Sequence, residues 1–260
     1  MHDILKLIQV HTPFHFLHDR FLPMVIKERI NPEISFNHVT LDRFRKEDYI
    51  RVADSLLDAG LTITFHAPFM DLRPGALDPK IRQITIDRLN QVFDLVPHFR
   101  PLSVVCHPSF DKRYYVSSEQ LWLENSVETW KIFLTRAIEM NTIIAFENVY
   151  ESDCQNLGLL LNEFSSPHVI FCFDTGHFNV FSTTPLEEWM GGLWTRLGPV
   201  DRIRSLIEVQ IICKGKLVKG ESLWLEYRGE ALPIDYVFGT PTKREVRGYS
   251  VYATGFNLSS

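Results

Sequence analysis

Four apolar stretches of this chain each stop on a residue that can hold a cation or move a proton. Residues 61–65 run into His66, 102–106 into His107, 142–146 into Glu147, and 169–173 into Asp174, with His177 three residues further on. Imidazole nitrogen mixed with carboxylate oxygen is a donor set for Zn²⁺, Mn²⁺, Fe²⁺ or Co²⁺. A cation held in this way polarises a substrate oxygen while a neighbouring acid transfers a proton. Each residue also has a plainer reading when taken alone. His66 and His107, each close to a proline, can be loop or capping residues; Glu147 beside Asn148 can cap a helix; Asp174-Thr175-Gly176-His177 can be an Asx-type turn. Four such accidents at four strand ends are a weaker account than one shared site.

The elements that must position these residues alternate along the chain. The run 169–173 is apolar without alternation, the mark of a strand buried on both faces of a parallel sheet. Further strands are expected at 4–10, with two polar interruptions, at 33–38, where polar and apolar residues alternate, and at 61–65, 102–106 and 142–146. Between them lie amphipathic helices at 46–59, 79–96, 119–140, 157–164 and 185–197, with a weaker one at 23–30. Gly60 supplies a helix stop, and Asp78-Pro79 an N-cap followed by an N1 proline. The tryptophans at 122, 130 and 189 fall at helical spacing and read as core. Six βα units before residue 200 predict a parallel sheet and a single (β/α)8 barrel over residues 1–260. Its strand ends then open on one face, where such barrels keep their chemistry. Arg73, in the loop after His66, and His11, after the first strand, are weaker candidates for that face.

The 260 residues suffice for one large core. A formal charge of −5 gives no basic footprint for nucleic acid. No stretch approaches the roughly 20 apolar residues that span a bilayer, and the first residues lack a signal-peptide pattern, so a cytoplasmic protein is expected. The four cysteines are scattered, with no CxxC pair. Cys106 and Cys172 sit inside apolar runs and read as small core residues, not as disulfide partners.

Phe65-His66-Ala67-Pro68, Cys106-His107-Pro108, Phe146-Glu147-Asn148 and Phe173-Asp174-Thr175-Gly176-His177, in that order, resemble the xylose isomerase-like TIM-barrel superfamily. Within it the chain is most similar to the sugar phosphate isomerase/epimerase group, which is related to endonuclease IV. The resemblance covers residues 4–205. It implies that Glu147 and Asp174 bind a divalent metal (Mn²⁺, Mg²⁺ or Zn²⁺) and that His66, His107 and His177 bind metal or substrate. It also implies that Glu147 acts as acid/base at a carbon next to a carbonyl or hydroxyl, through an enediolate-like intermediate. The implied partner is a small sugar or sugar phosphate, with His11, Arg73 and Asn148 as substrate-binding candidates.

Residues 206–260 depart from that pattern. No histidine follows His177, whereas the family's seventh strand ends in a His-rich motif and its eighth supplies a glutamate. Glu208 and Asp235 are the nearest substitutes. Either this quarter has diverged, or the coding sequence carries a frame error or truncation; the abrupt loss of every late motif favours the second. Three functions remain open: a metal-dependent sugar isomerase or epimerase, an endonuclease IV-like phosphodiesterase, and a non-catalytic sugar-binding barrel with an incomplete metal site.

Overall fold

The computed structural model describes residues 8–193, 224–227 and 230–233. Six strands make one parallel sheet in sequential order: β1 (Val10–Pro13), β2 (Pro32–Ser35), β3 (Thr64–His66), β4 (Ser103–Cys106), β5 (Ile143–Glu147) and β6 (Val169–Cys172). Every neighbouring pair is parallel and each strand returns through helical chain, as the alternating pattern predicts. Trp224–Tyr227 and Glu230–Pro233 pair antiparallel, a feature not read from the sequence. Most of the divergent quarter 206–260 lies outside the described residues, as do Glu208 and Asp235.

The helices follow from their sequences. Lys46–Asp58 buries Tyr49, Val52, Ala53 and Leu56, one stripe of a 3.6-residue period. It ends where Gly60 takes φ +67°, a left-handed conformation that a side chain would strain. Pro79–Phe93 begins as expected, with the Asp78 side chain accepting from the Lys80 N–H at 2.8 Å. It stops short of the expected 96, and a separate turn of helix, Val96–Phe99, follows. Glu119–Glu139 is the longest helix and buries Trp122, Trp130 and Phe133 against the sheet. Each buried side chain of that size contributes on the order of 1.5–3 kcal/mol. Trp189 is buried as well, so all three tryptophans are core.

The bounds of the first two strands also differ from the sequence reading. The first strand occupies Val10–Pro13 and so includes the His11-Thr12-Pro13 segment read as loop. The cause is tertiary: β1 is defined by its ladder to β2, which starts at Val10↔Pro32. The second strand ends at Ser35, because Asn37 leaves the sheet to cap helix His38–Arg43 in a reciprocal capping box with Thr40.

The sheet's two faces set the phase of the site. Val104, Ile144, Phe146 and Phe171 pack outward into the large helix-facing core. Val105, Ala145, Ile170 and Cys172 form a separate small cluster on the other face. These four sit side by side in register, Val105↔Ala145↔Ile170, with Cys172 beside Glu147. Side chains alternate with period two. The same face therefore continues upward to His107, two residues past Val105, to Glu147, two past Ala145, and to Asp174, two past Cys172. His66, in register with Val105, joins them from β3. Small apolar side chains below and titratable ones above are what one continuous inner face looks like.

Candidate metal centre

Two groups of metal-ligand residues stand on that face. His66, His107 and Glu147 form one; Glu147, Asp174 and His177 form the other; in each, one ligand atom per residue lies within 4.8 Å of the rest. Glu147 belongs to both. The structure thus brings together all five residues expected to hold a metal.

Glu147 is 2% exposed and its carboxylate is surrounded by imidazoles. Oε2 lies 3.5 Å from His66 Nε2; Oε1 lies 3.6 Å from His107 Nε2 and 3.0 Å from His177 Nδ1. Burial opposes its charge, but His107, His177 and His66 together outweigh burial and hold the carboxyl well below the usual range. His66 responds in the opposite sense. Burial lowers it, yet the Glu147 contact and the Glu33 charge raise it to about 9. His107 is lowered, burial prevailing over Glu147. In His66 and His177 the Nδ1 atoms meet backbone carbonyls, of Ala67 and Asn148, each at 2.9 Å. On His66 a proton held on Nδ1 orients the ring and leaves Nε2, the nitrogen facing Glu147, to ligate, whereas His177 turns Nδ1 toward Glu147.

Asp174 does two jobs. Its Oδ1 caps helix Thr175–Phe181, accepting from the His177 N–H at 2.6 Å, which brings His177 onto the same side of the turn. Its Oδ2 is buried and has no partner. Burial and the Glu147 charge push Asp174 up to about 7. The plain Asx-turn reading and the ligand reading are both satisfied, by different oxygens. His107 Nε2 is likewise buried without a hydrogen-bond partner, and the buried Glu147 Oε1 faces only imidazole nitrogens. Buried polar atoms left unpaired are costly. These three atoms, converging within one imidazole–carboxylate donor set, fit a divalent cation.

Asn148 is a clamp. Its side-chain N–H donates to the Asp174 carbonyl at 2.9 Å, and its Oδ1 accepts from the Asp174 N–H at 2.7 Å. Both ends of the amide are thereby engaged with the backbone of Asp174. Asn148→Ala leaves the buried Asp174 N–H unpaired, about 1–3 kcal/mol, while the Asp174 carbonyl keeps the Phe178 N–H at 3.0 Å. We expect a loss of about 1–3 kcal/mol in urea unfolding and a roughly 10–100-fold weaker Mn²⁺ affinity by calorimetry, as for other residues that orient ligands. Wild-type affinity in this variant would refute the clamp.

The other expected substrate contacts are placed as follows. His11 stands at the rim, its ring edge-on to His66 at 6.3 Å between centroids, and burial with the neighbouring His66 lowers it to about 4. Arg73 lies over the Tyr114 ring at 3.9 Å and belongs to neither ligand group. Phe69 stacks on His107 at 4.4 Å and roofs that side.

Two acids escaped the sequence reading. Glu33 on β2 is fully buried, in register with His11 and Thr64, and neither carboxylate oxygen has a partner. Burial raises it to about 8; His66 opposes the shift, and Glu147 and Asp174 add to it. Glu151 is also buried, with Oε2 accepting from the Val149 N–H at 2.6 Å, and burial raises it to about 7. The usable signal for Glu33 was phase: in a barrel the polar half of an alternating strand points inward.

The fold has known counterparts. The family model described as xylose isomerase-like TIM barrel matches residues 32–205. Among solved structures, a Thermus thermophilus protein from a crystal soaked with zinc chloride aligns with TM-score 0.58 at 20% identity, over 71% of this chain and 73% of that one. The D-psicose 3-epimerase of Clostridium cellulolyticum, solved with D-tagatose, aligns with TM-score 0.58 at 12% identity, over 74% and 71%. The 3-keto-D-glucoside 4-epimerase of E. coli aligns with TM-score 0.57 at 12% identity, over 80% and 88%. A search of curated proteins found no match. No helix among the described residues is long and apolar enough to cross a membrane.

Proposed function

The chain belongs to the xylose isomerase-like TIM-barrel family, and on that premise we propose that it is a divalent-metal-dependent isomerase or epimerase of a sugar or sugar phosphate. The observation that carries this reading is a buried carboxylate, Glu147, shared by two sets of metal-ligand residues on the inner face of the strands. Solved structures of like fold include a D-psicose and a 3-keto-D-glucoside epimerase, which supports the sugar class. Mixed nitrogen and oxygen donors favour Mn²⁺ or Zn²⁺ over Mg²⁺, which prefers all-oxygen sites.

When bound, a divalent cation supplies Lewis-acid polarisation of a substrate oxygen. The chain's own residues do the rest. Glu147 offers two oxygens in different surroundings, Oε2 toward His66 and Oε1 toward His107 and His177. One can remain with the ligand set while the other takes a proton from the substrate carbon. Asp174 belongs to one ligand group, and a bound cation would favour its ionised form. His107 and His177 stand with Glu147 in the two ligand groups, and Phe69 over His107 limits water on that side. Residues 1–205 carry this machinery in our reading, within a single domain.

The test is solvent exchange. Purified protein with Mn²⁺ or Zn²⁺ is incubated in deuterium oxide with D-psicose, D-tagatose and their 6-phosphates, and deuterium at carbon 3 or carbon 1 is read by NMR. We expect incorporation that chelator abolishes and that Glu147→Gln lowers by roughly 10²–10⁴-fold. No incorporation with any metal and sugar would overturn the reading. The shared Glu147 also favours one second reading: two ligand groups with a carboxylate in common would suit a phosphodiesterase of the endonuclease IV kind. Metal-dependent cleavage of abasic DNA is its assay, and the net charge of −5 weighs against it.

A further inference from the structure

A second polar site lies beside the candidate metal centre. A cavity of about 240 Å³ is lined by Phe110 and Lys112 from the loop after β4, by Glu151 and Asp153 from the loop after β5, and by Glu119 and Asn156 from the helices that follow those loops. The volume is a little under the 300–1,000 Å³ of drug-sized sites, so it suits one small polar group. Glu151 is 4% exposed; its Oε2 is fixed by the Val149 N–H, while Oε1 has no hydrogen-bond partner. A buried carboxylate oxygen left unpaired in a cavity wall calls for a donor.

The same loop ties this cavity to the metal centre. It starts at Asn148, the clamp of Asp174, and its Ser152 carbonyl accepts from the Thr183 N–H at 2.8 Å, just past the helix that carries His177. The composition of the wall narrows the ligand. Three carboxylates face a single ammonium, which disfavours a phosphate. Neither metal-ligand group among the described residues includes Glu119, Glu151 or Asp153, so their oxygens do not converge as a cation site requires. Acceptors from the acids, donors from Lys112 and Asn156, and the Phe110 ring instead form a surface for several hydroxyl groups at once.

We propose that this cavity is a subsite for the hydroxylated, unphosphorylated end of the substrate, with Glu151 accepting a hydroxyl proton there. The inference rests on the sugar reading above and deepens it from sugar or sugar phosphate to neutral sugar. Glu151 is a binding residue in this account and takes no part in proton transfer at carbon.

Calorimetric titration of the Mn²⁺-loaded protein with D-psicose and with D-psicose 6-phosphate tests it, on wild type, Glu151→Gln and Asn156→Trp. Asn156 is partly exposed, and a tryptophan there fills the cavity without touching the ligand groups; Mn²⁺ affinity, measured in parallel, reports that the centre is intact. We expect the neutral sugar to bind more tightly than its phosphate to wild type. We also expect about 3–10-fold weaker binding in Glu151→Gln and at least 10-fold weaker in Asn156→Trp, at unchanged Mn²⁺ affinity. Wild-type sugar affinity in both variants, or tighter binding of the phosphate, overturns the subsite and leaves the enzyme reading standing. Absence of sugar binding to wild type, together with no deuterium exchange, removes both.

Discussion

Glu147→Gln is expected to abolish divalent-metal binding altogether, while Asp174→Asn and His66→Gln each damage only one of the two ligand groups. The asymmetry follows from membership: Glu147 is common to both groups, Asp174 belongs to one and His66 to the other. An amide keeps the shape of the carboxylate but removes the charge that three imidazoles surround. Loss of a ligand exceeds the roughly 10–100-fold effect of residues that merely orient ligands, so Mn²⁺ and Zn²⁺ affinities should fall by more than 100-fold. The corresponding thermal signal is direct. A ligand at 100 times its Kd stabilises a fold by about 2.7 kcal/mol, and this increment should vanish in Glu147→Gln. In Asp174→Asn and His66→Gln, calorimetry should show reduced affinity or reduced stoichiometry, not silence. Proton release gives a second readout. His66 is raised to about 9 by its Glu147 contact and must lose its proton to ligate. Titrations in buffers of different ionisation enthalpy should therefore show proton release in wild type and less of it in His66→Gln. Metal affinity in Glu147→Gln equal to that of wild type would remove the centre from consideration.

Much of this was legible in the order of residues, and the reasons are specific. His66, His107, Glu147 and Asp174 were visible because buried parallel strands are apolar throughout, so the first polar residue after each run marks the strand's end. Parallel topology then placed those ends together without further information. The start of β1 was not legible, since Val10 begins the ladder only because Pro32 lies opposite. Asn148 was read as a substrate contact, and its engagement with the Asp174 backbone depends on two loops meeting, which no local pattern records. Arg73 was placed in the right loop, but its guanidinium found the Tyr114 ring. Glu151 was not singled out, because nothing in its local sequence records that its loop is buried. Glu33 was missed for a different reason. Alternation in the 33–38 segment shows that two faces differ, not which of them meets solvent, and here the polar face is the inner one.

Glu33 should make the metal-free protein less stable as pH rises, and Glu33→Gln should remove that dependence. The acid is fully buried with both oxygens unpaired, and burial raises it from 4.5 to about 8 in the folded state. Between those two values the folded protein holds a proton that the unfolded chain has released. Stability follows the difference in bound protons, so it declines with pH across this window and levels off above about 8. One pKa unit corresponds to about 1.4 kcal/mol; allowing for structural relaxation around a charged Glu33, the whole effect should be about 2–4 kcal/mol. In chelator-treated samples, urea unfolding of wild type and Glu33→Gln should coincide near pH 5, where Glu33 is protonated in the folded state, and diverge in favour of the variant by pH 8.5. Adding Mn²⁺ should narrow the gap, because a nearby cation favours the carboxylate and offsets the push from Glu147 and Asp174. That narrowing is the informative result. It would place Glu33 within the electrostatic reach of the metal centre, whereas pH curves that run parallel in both proteins would mean that Glu33 keeps one protonation state throughout and has no such coupling.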